Sequence, residues 1–289
     1  MTRCKKIFVI ILNYNGTSTL RACVESVLRQ THPCEVIVVD NCSTDGSLEE
    51  IKRAFPRLHY MRNSANLGYA AGNNGAIRFA LECCADGVLL LNNDAVLAVD
   101  ALECLARVAE ESISGGVFTP IIFAKSTGRL WFSGGMIAWM RMRAIHQHVM
   151  PHDTTPYETD YSSGCAMFVT KEVFQSIGLL DEGYFLYYED ADFSIRARRA
   201  GFSIVVVPRA RADHEEQSTM RPQQKLYWLV ISGLRFFDRH TPFFLRPWIV
   251  LYKIARRMKN GLDCRFYPSD RAAIVSKAYH DYVINRPTD

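Results

Sequence analysis

Gly87-Val88-Leu89-Leu90-Leu91-Asn92-Asn93-Asp94 joins an unbroken apolar run to three side chains that bind polar ligands or cations. Four consecutive apolar residues without polar alternation predict a strand covered on both faces, as in a parallel sheet. Asn92, Asn93 and Asp94 then fall at its C-terminal end. Open α/β sheets bind ligands at that edge, so an oxygen-rich cluster there points to a divalent metal or a metal–phosphate complex. The same three residues also make an ordinary turn out of a core strand, so the rest of the chain must decide between the two.

Upstream, strand and helix signals alternate, the pattern of a parallel sheet built from βαβ units. Ile7 to Leu12 reads as the first strand, followed by Asn13-Tyr14-Asn15-Gly16. Leu20, Cys23, Val24, Val27 and Leu28 then fall on one helical face, with Thr17 or Ser18 as cap. Val36 to Val39 is the second strand and ends in Asp40-Asn41-Cys42-Ser43; Ser47 with Glu50 predicts a capping box at the next helix. Leu58 to Met61 is a third strand leading into Asn66-Leu67-Gly68 and on to Asn73-Asn74-Gly75, where small residues permit close backbone approach to a ligand. The polar loops after Leu12, Val39 and Leu91 all leave the same edge of a parallel sheet, as a nucleotide cleft requires.

Downstream, Asp100 with Glu103 predicts a second capping box and Val117 to Phe123 another strand. Trp131 to Tyr161 lacks periodicity and reads as a mobile loop over the cleft. It holds His146, His148 and His152, which a solvated loop explains more simply than a metal does. Ser163-Gly164-Cys165-Ala166 enters an apolar segment to Val169, and Lys171 to Ile177 is a short helix. Glu189, Asp190 and Asp192 crowd three carboxylates behind an aromatic run. Such crowding raises at least one pKa toward the range of a general base, although acids also suit a helix N-terminus. Ser203 to Val207 is a strand closed by Pro208, which leaves His214 in a polar turn.

At 289 residues and 48% hydrophobic content, the chain can bury a full core, with one α/β domain and an appendage. Nine cysteines without a C-x-x-C pair read as free thiols in a reducing compartment. The apolar run at Ile7 is too short for a signal segment, and no run reaches the roughly 18 residues needed to span a bilayer. The net charge of +4 divides unevenly. Between Arg221 and Arg265, ten Lys and Arg face two acids, so that segment carries +8 and the remainder −4. One local basic patch argues against a general nucleic-acid surface and for an anionic lipid, phosphate or acidic partner.

These motifs, in this order from Ile7 to Ser218, resemble inverting glycosyltransferases of family 2, above all the bacterial rhamnosyltransferase-like group. The resemblance implies the GT-A fold: one nucleotide-binding, Rossmann-like, mostly parallel sheet flanked by helices over residues 1–218, with a helical basic C-terminal extension over 219–289. By the same resemblance Asn13 and Asn15 open the nucleotide loop, Asp40 bonds the base, and Asn66, Gly68 and Asn73 flank the nucleoside and phosphates. Asn92-Asn93-Asp94 is similar to the D-x-D motif, with Asp94 as metal ligand and Asn92 toward the ribose. Glu189-Asp190-Ala191-Asp192 looks like the acidic catalytic motif, with Asp190 as base and Glu189, Asp192 and Gly164 at the acceptor site. His214 resembles the late histidine ligand of the metal.

The expected activity is metal-dependent inverting transfer, with manganese or magnesium as cofactor. The donor is a nucleotide sugar, dTDP-rhamnose or a UDP-hexose, and the acceptor is a glycan or polyprenyl-linked carrier in cell-envelope polysaccharide synthesis. A sugar-nucleotide-binding protein without turnover is the alternative. A nucleotidyltransferase is a weaker one, because Asn13-Tyr14-Asn15-Gly16 lacks a basic phosphate-binding residue. The expected location is cytoplasmic, with residues 225–259 docking on the inner face of the membrane. There Trp248, Leu251, Tyr252, Ala255 and Met258 form the apolar face of a helix started by Pro247, with Lys253, Arg256, Arg257 and Lys259 opposite.

Overall fold

A computed structural model describes residues 6–215 and 220–284. In chain order the elements begin β1 (Ile7–Asn13), α1 (Leu20–Leu28), β2 (Glu35–Asp40), α2 (Ser47–Ala54), β3 (His59–Arg62) and α3 (Gly68–Glu82). There follow β4 (Gly87–Asn92), β5 (Ala95–Leu97), α4 (Ala101–Glu111), β6 (Gly116–Ala124), β7 (Leu130–Phe132), β8 (Gly135–Ala138), β9 (Arg143–His146) and β10 (Tyr157–Glu158). The chain continues through β11 (Ala166–Thr170), α5 (Lys171–Ile177), α6 (Glu189–Arg199), β12 (Ser203–His214), α7 (Pro222–His240), α8 (Arg246–Phe266) and α9 (Asp270–Ile284).

The main sheet runs β10-β12-β6-β11-β4-β1-β2-β3, with β5 added to β12 and β7 to β6. Strands β4, β1, β2 and β3 are parallel, and β11 lies antiparallel between β4 and β6. Both faces are covered. Val9 and Ile11 of β1 pack with α1 and α4, whereas Phe8 and Ile10 pack with α3 and α6. That double burial is why β1 and β4 are apolar without alternation.

Register makes the ligand edge. Leu12 lies opposite Asn92 and Asn13 opposite Asp40, so the loops after β1, β2 and β4 leave together. Because β11 runs against β4, Ser163-Gly164-Cys165 reaches the same edge from the other direction, and Cys165 O accepts from Asn92 N at 3.0 Å.

Several local expectations are corrected. Neither α2 nor α4 has a capping box: Ser47 N and Oγ donate to Asp45 Oδ1, and Glu103 Oε2 accepts from Thr31 Oγ1. Helix α1 begins after Thr19, later than Thr17 or Ser18 would place it. The stretch from Trp131 to Tyr161 is not one loop: it holds the end of β7, β8 paired with β9 in a separate ribbon, and β10, while residues 147–156, with His148 and His152, are irregular. Pro208 does not close its strand. β12 shifts register against β6 between Val207 and Arg211 and continues to His214, since a bulge accommodates a proline that cannot donate to the ladder. The eight described cysteines are free thiols, as expected.

Candidate active site

The cleft lies on the ligand edge and has a volume of about 410 Å³. Its floor is a knot of amides and carboxylates. Buried Asn13 donates to Asp40 Oδ1 (3.1 Å), Ser43 Oγ (3.1 Å) and Ser47 Oγ (2.9 Å), and accepts from Asn93 Nδ2 at 2.9 Å. Gly16 permits this last contact, since a Cβ there would collide with both amides. Asn15 N donates to Ser43 Oγ and Asn15 Oδ1 accepts from Thr44 N, zipping the first loop to the second. Asp40, fully buried, also accepts from Ser43 N and pairs with Arg62.

Expected nucleotide residues thus divide. Asn66, Gly68 and Asn92 line the cleft, whereas Asn13, Asp40 and Asn73 lie buried beneath it and Asn15 ties its rim. Asn41 stands out as a lining residue that the sequence reading passed over. Its Oδ1 accepts from Asn63 and Leu67 N, and its Nδ2 donates to Asn66 Oδ1 and Gly68 O, joining three chain segments. Gly68 adopts φ +79° and lies against the Phe185 carbonyl, which accepts from Tyr69 N at 2.8 Å.

Asp94 and His214 come together because β5 pairs with the end of β12, setting His214 opposite Ala95. His214 Nε2 lies 3.1 Å from Asp94 Oδ1, an ion-pair distance, but neither that buried oxygen nor His214 Nδ1 has a hydrogen bond of good geometry. Adjacent ligands of an octahedral ion are separated by about 3 Å at ordinary magnesium–oxygen distances. An unsatisfied carboxylate beside an imidazole at that spacing fits a divalent cation. Among the described residues no three His, Cys, Asp or Glu side chains form a closed cage. Two protein ligands would leave the other positions for phosphate oxygens and water. Trp131 packs edge-on against His214 at 4.6 Å and His146 at 4.5 Å, fixing both rings.

The acidic pair enters from another direction. Tyr187 and Tyr188, both at φ +68°, turn the chain left-handed into α6 and present Glu189 and Asp190 to the cleft. Such backbone strain in non-glycine residues persists where the surroundings enforce it, often at functional sites. Gly164 N donates to Asp190 Oδ2 at 2.9 Å, while Gly164 O accepts from Tyr69 OH at 2.5 Å. Gly164, held by Tyr69 through its carbonyl, therefore aims the carboxylate through its N–H. Burial raises both acids; Asp190's negative charge pushes Glu189 further, whereas backbone N–H groups of Gly164 and Ala191 oppose the rise at Asp190. Glu189 Oε2 is buried and unpaired. Both environments favour the proton, and only at Asp190 do two neighbouring backbone N–H groups favour the charged form against it.

Asp192, expected at the acceptor site, is placed elsewhere. Its fully buried carboxylate accepts from Arg196 Nε (2.7 Å) and meets His240 Nε2 at 2.6 Å, tying α6 to the end of α7. His240 Nδ1 faces Arg199, so it acts as acceptor there and Nε2–H donates to Asp192. Lys225, on the first turn of α7, is the Lys or Arg that lines the cleft among the described residues. No motif marks it or Trp131; only the fold delivers them.

This sheet, with polar loops, an Asp–His pair and an acidic helix start on one edge, is the GT-A arrangement. The chain belongs to glycosyl transferase family 2, whose family profile matches residues 8–178, more than half its length. It is 27% identical over 216 residues to the low-salt glycan biosynthesis hexosyltransferase Agl10 of Haloferax volcanii, covering 70% of this chain and 65% of that protein. It is 26% identical over 278 residues to the N-acetylglucosaminyl-diphospho-decaprenol L-rhamnosyltransferase of Mycobacterium tuberculosis, covering 86% and 90% of the two chains. The crystal structure of GalNAc-T7 with UDP, GalNAc and Mn2+ superposes with a TM-score of 0.68 at 18% identity, over 96% of this chain and 54% of that one. At such identity this likeness concerns the fold.

Proposed function

We propose that the protein transfers a sugar, with inversion, from a nucleoside-diphosphate donor to a glycan or polyprenyl-linked acceptor at the inner face of a membrane. Rhamnose from dTDP is the donor the reading favours, with UDP-hexoses next. What carries the proposal is the meeting, in one cleft, of the unsatisfied Asp94–His214 pair and the Gly164-held carboxylate of Asp190. The decaprenyl-linked acceptor in the mycobacterial relative's name supports the acceptor class.

Asp94 and His214 would hold manganese or magnesium, which when bound neutralises charge on the leaving diphosphate. Asn41, Asn66 and Gly68 line the nucleoside's side of the cleft, and Lys225 adds a cation for the phosphates. Asp190 accepts the acceptor hydroxyl proton as that oxygen's electron pair forms the bond to the anomeric carbon. The bond from that carbon to the diphosphate oxygen breaks with its electrons leaving on the diphosphate. Attack from the face opposite the leaving group inverts the centre, and no covalent sugar–enzyme intermediate forms.

A donor panel followed by mass spectrometry, with and without manganese, tests the reading. Transfer or slow hydrolysis of one nucleotide sugar is expected. Binding without turnover would instead make the chain a sugar-nucleotide-binding protein.

A further inference from the structure

Helix α8 turns its apolar side outward. Of its 21 residues only Ile249 is buried, at 2% exposure. Ile249 therefore marks the inward face, and Tyr252, Lys253, Asn260 and Asp263 follow it at helical spacing. Lys253 is ion-paired with Asp238, and Asn260 donates to Ala272 O of α9 at 3.0 Å. The opposite face carries Leu251, Ile254, Met258 and Leu262, all exposed, with Leu251 at 62% and Met258 at 65%. Phe243 and Phe244 before the helix and Phe266 and Tyr267 at its end are also exposed, Phe243 at 81%.

A helix with this composition would ordinarily bury these side chains in its own protein, because each large aliphatic removed from water contributes about 1.5–3 kcal/mol. Here the fold leaves them out. The charges beside them indicate what covers them. At 100° per residue from Met258, Arg257 and Arg246 fall on one border of the stripe and Lys259 on the other, with Arg265 near its far end. Helix α8 carries six Lys and Arg against the single acid Asp263. Long basic side chains bordering an aliphatic and aromatic stripe suit a lipid interface, where the stems lie along acyl chains and the charged ends meet phosphates. A second copy of this chain would bring the same basic borders into opposition, so like charge disfavours it.

We infer that the outward stripe of α8, Leu251, Ile254, Met258 and Leu262 with the exposed aromatics flanking the helix, seats in the interface of an anionic lipid bilayer and lies flat there. No described helix is long and apolar enough to cross a membrane, in keeping with a surface position. The inference relocates the sequence-based docking face. Tyr252 is half-buried, Lys253 is engaged with Asp238, and Arg256 lies over the Tyr252 ring at 5.7 Å, so they belong to the protein side. Trp248 ties the start of the helix to the cleft-side ribbon by donating to Met140 O at 3.0 Å. The inference rests on this surface and takes from the proposed function only the need to reach a lipid-linked acceptor.

Flotation with vesicles of phosphatidylglycerol and phosphatidylcholine in equal parts tests it without any substrate. The full chain should rise with these vesicles at low salt, remain below with phosphatidylcholine alone, and be released by high salt. The combined variant Leu251→Gln, Ile254→Gln, Met258→Gln, Leu262→Gln should lose at least tenfold in partitioning. Its substitutions sit at exposed positions, so its thermal transition and its nucleoside-diphosphate binding should match the parent. Arg246→Gln, Arg257→Gln and Lys259→Gln together should raise the phosphatidylglycerol content needed for retention. Failure of the parent to float, or equal flotation of the glutamine variant, overturns the inference. So does self-association of the parent that the glutamine variant abolishes, which would assign the stripe to a second copy. Absence of nucleotide binding with intact flotation would count against the proposed reaction and leave this surface standing.

Discussion

Asp190, expected as the base, and Glu189, expected at the acceptor site, are neighbours in sequence, and their hydrogen bonds separate them. Asp190 accepts from two backbone N–H groups, which favour its charged form; Glu189 has a buried oxygen without a donor. Asp190→Asn should lower turnover by about 10² to 10⁴ with donor affinity little changed, because only basicity is removed. Glu189→Gln should keep turnover within about tenfold; initial rates over a donor titration distinguish the two. The pH dependence has a definite sign. Burial raises Asp190 above its usual range, so activity should fall on acidification through a pKa higher than an ordinary aspartate's. Glu189 is raised further, by burial and then by Asp190's charge. Its folded form favours the proton, so stability present below its ordinary pKa is lost as pH rises through the folded value. Glu189→Gln should therefore raise Tm more at pH 8 than at pH 5, by about 2–4 °C for each kcal/mol relieved. Asp94→Ala should abolish the manganese dependence of nucleoside-diphosphate binding in calorimetric titration, since it removes the unsatisfied oxygen beside His214.

At the scale of elements, the position of the acids depends on how α6 is held. Asp192 faces Arg196 and His240, and Arg196 also donates to Ile177 O and Leu179 O. A buried charge stripped of all its partners costs roughly 3–5 kcal/mol; Asp192 would keep His240 and Arg239, so Arg196→Met should destabilise the protein by less than that in chemical denaturation. Strand β12 is the other such element. Its bulge after Val207 lets the strand continue past Pro208 and lay His214 beside Asp94. Without that continuation, two residues 120 positions apart would not share an edge.

Across the whole molecule, the C-terminal helices are not equivalent. Helix α7 buries Leu234, Phe236 and Phe237 in the main core and sends His240 to Asp192. Helices α8 and α9 bury only Ile249, Ala272 and Ala278. Local opening is easiest where few apolar groups are buried, so amides of α8 and α9 should exchange with solvent well before those of α7. Hydrogen exchange followed by mass spectrometry checks this, and anionic vesicles should slow exchange selectively in α8.

The sequence by itself determined the sheet and most of its ligand edge. An apolar run that breaks into Asn92-Asn93-Asp94 between two other strand–helix signals suits a strand buried on both faces, and local polarity then marks where it emerges. The same reasoning found β1, β2 and the acidic start of α6, because hydrophobic period and abrupt polarity are properties of neighbouring residues. The tertiary structure decided what depends on partners distant in sequence. It placed short strands in much of Trp131 to Tyr161, where a loop was expected, because short strands paired with other segments need no period of their own. It took Asp40 and Asn13 into the buried support of the cleft, moved Asp192 into an ion network, and brought Lys225 to the lining. It also chose which side of α8 faces out. A helical pattern shows that two faces differ, but only the packing of Ile249 against the body shows which one meets water.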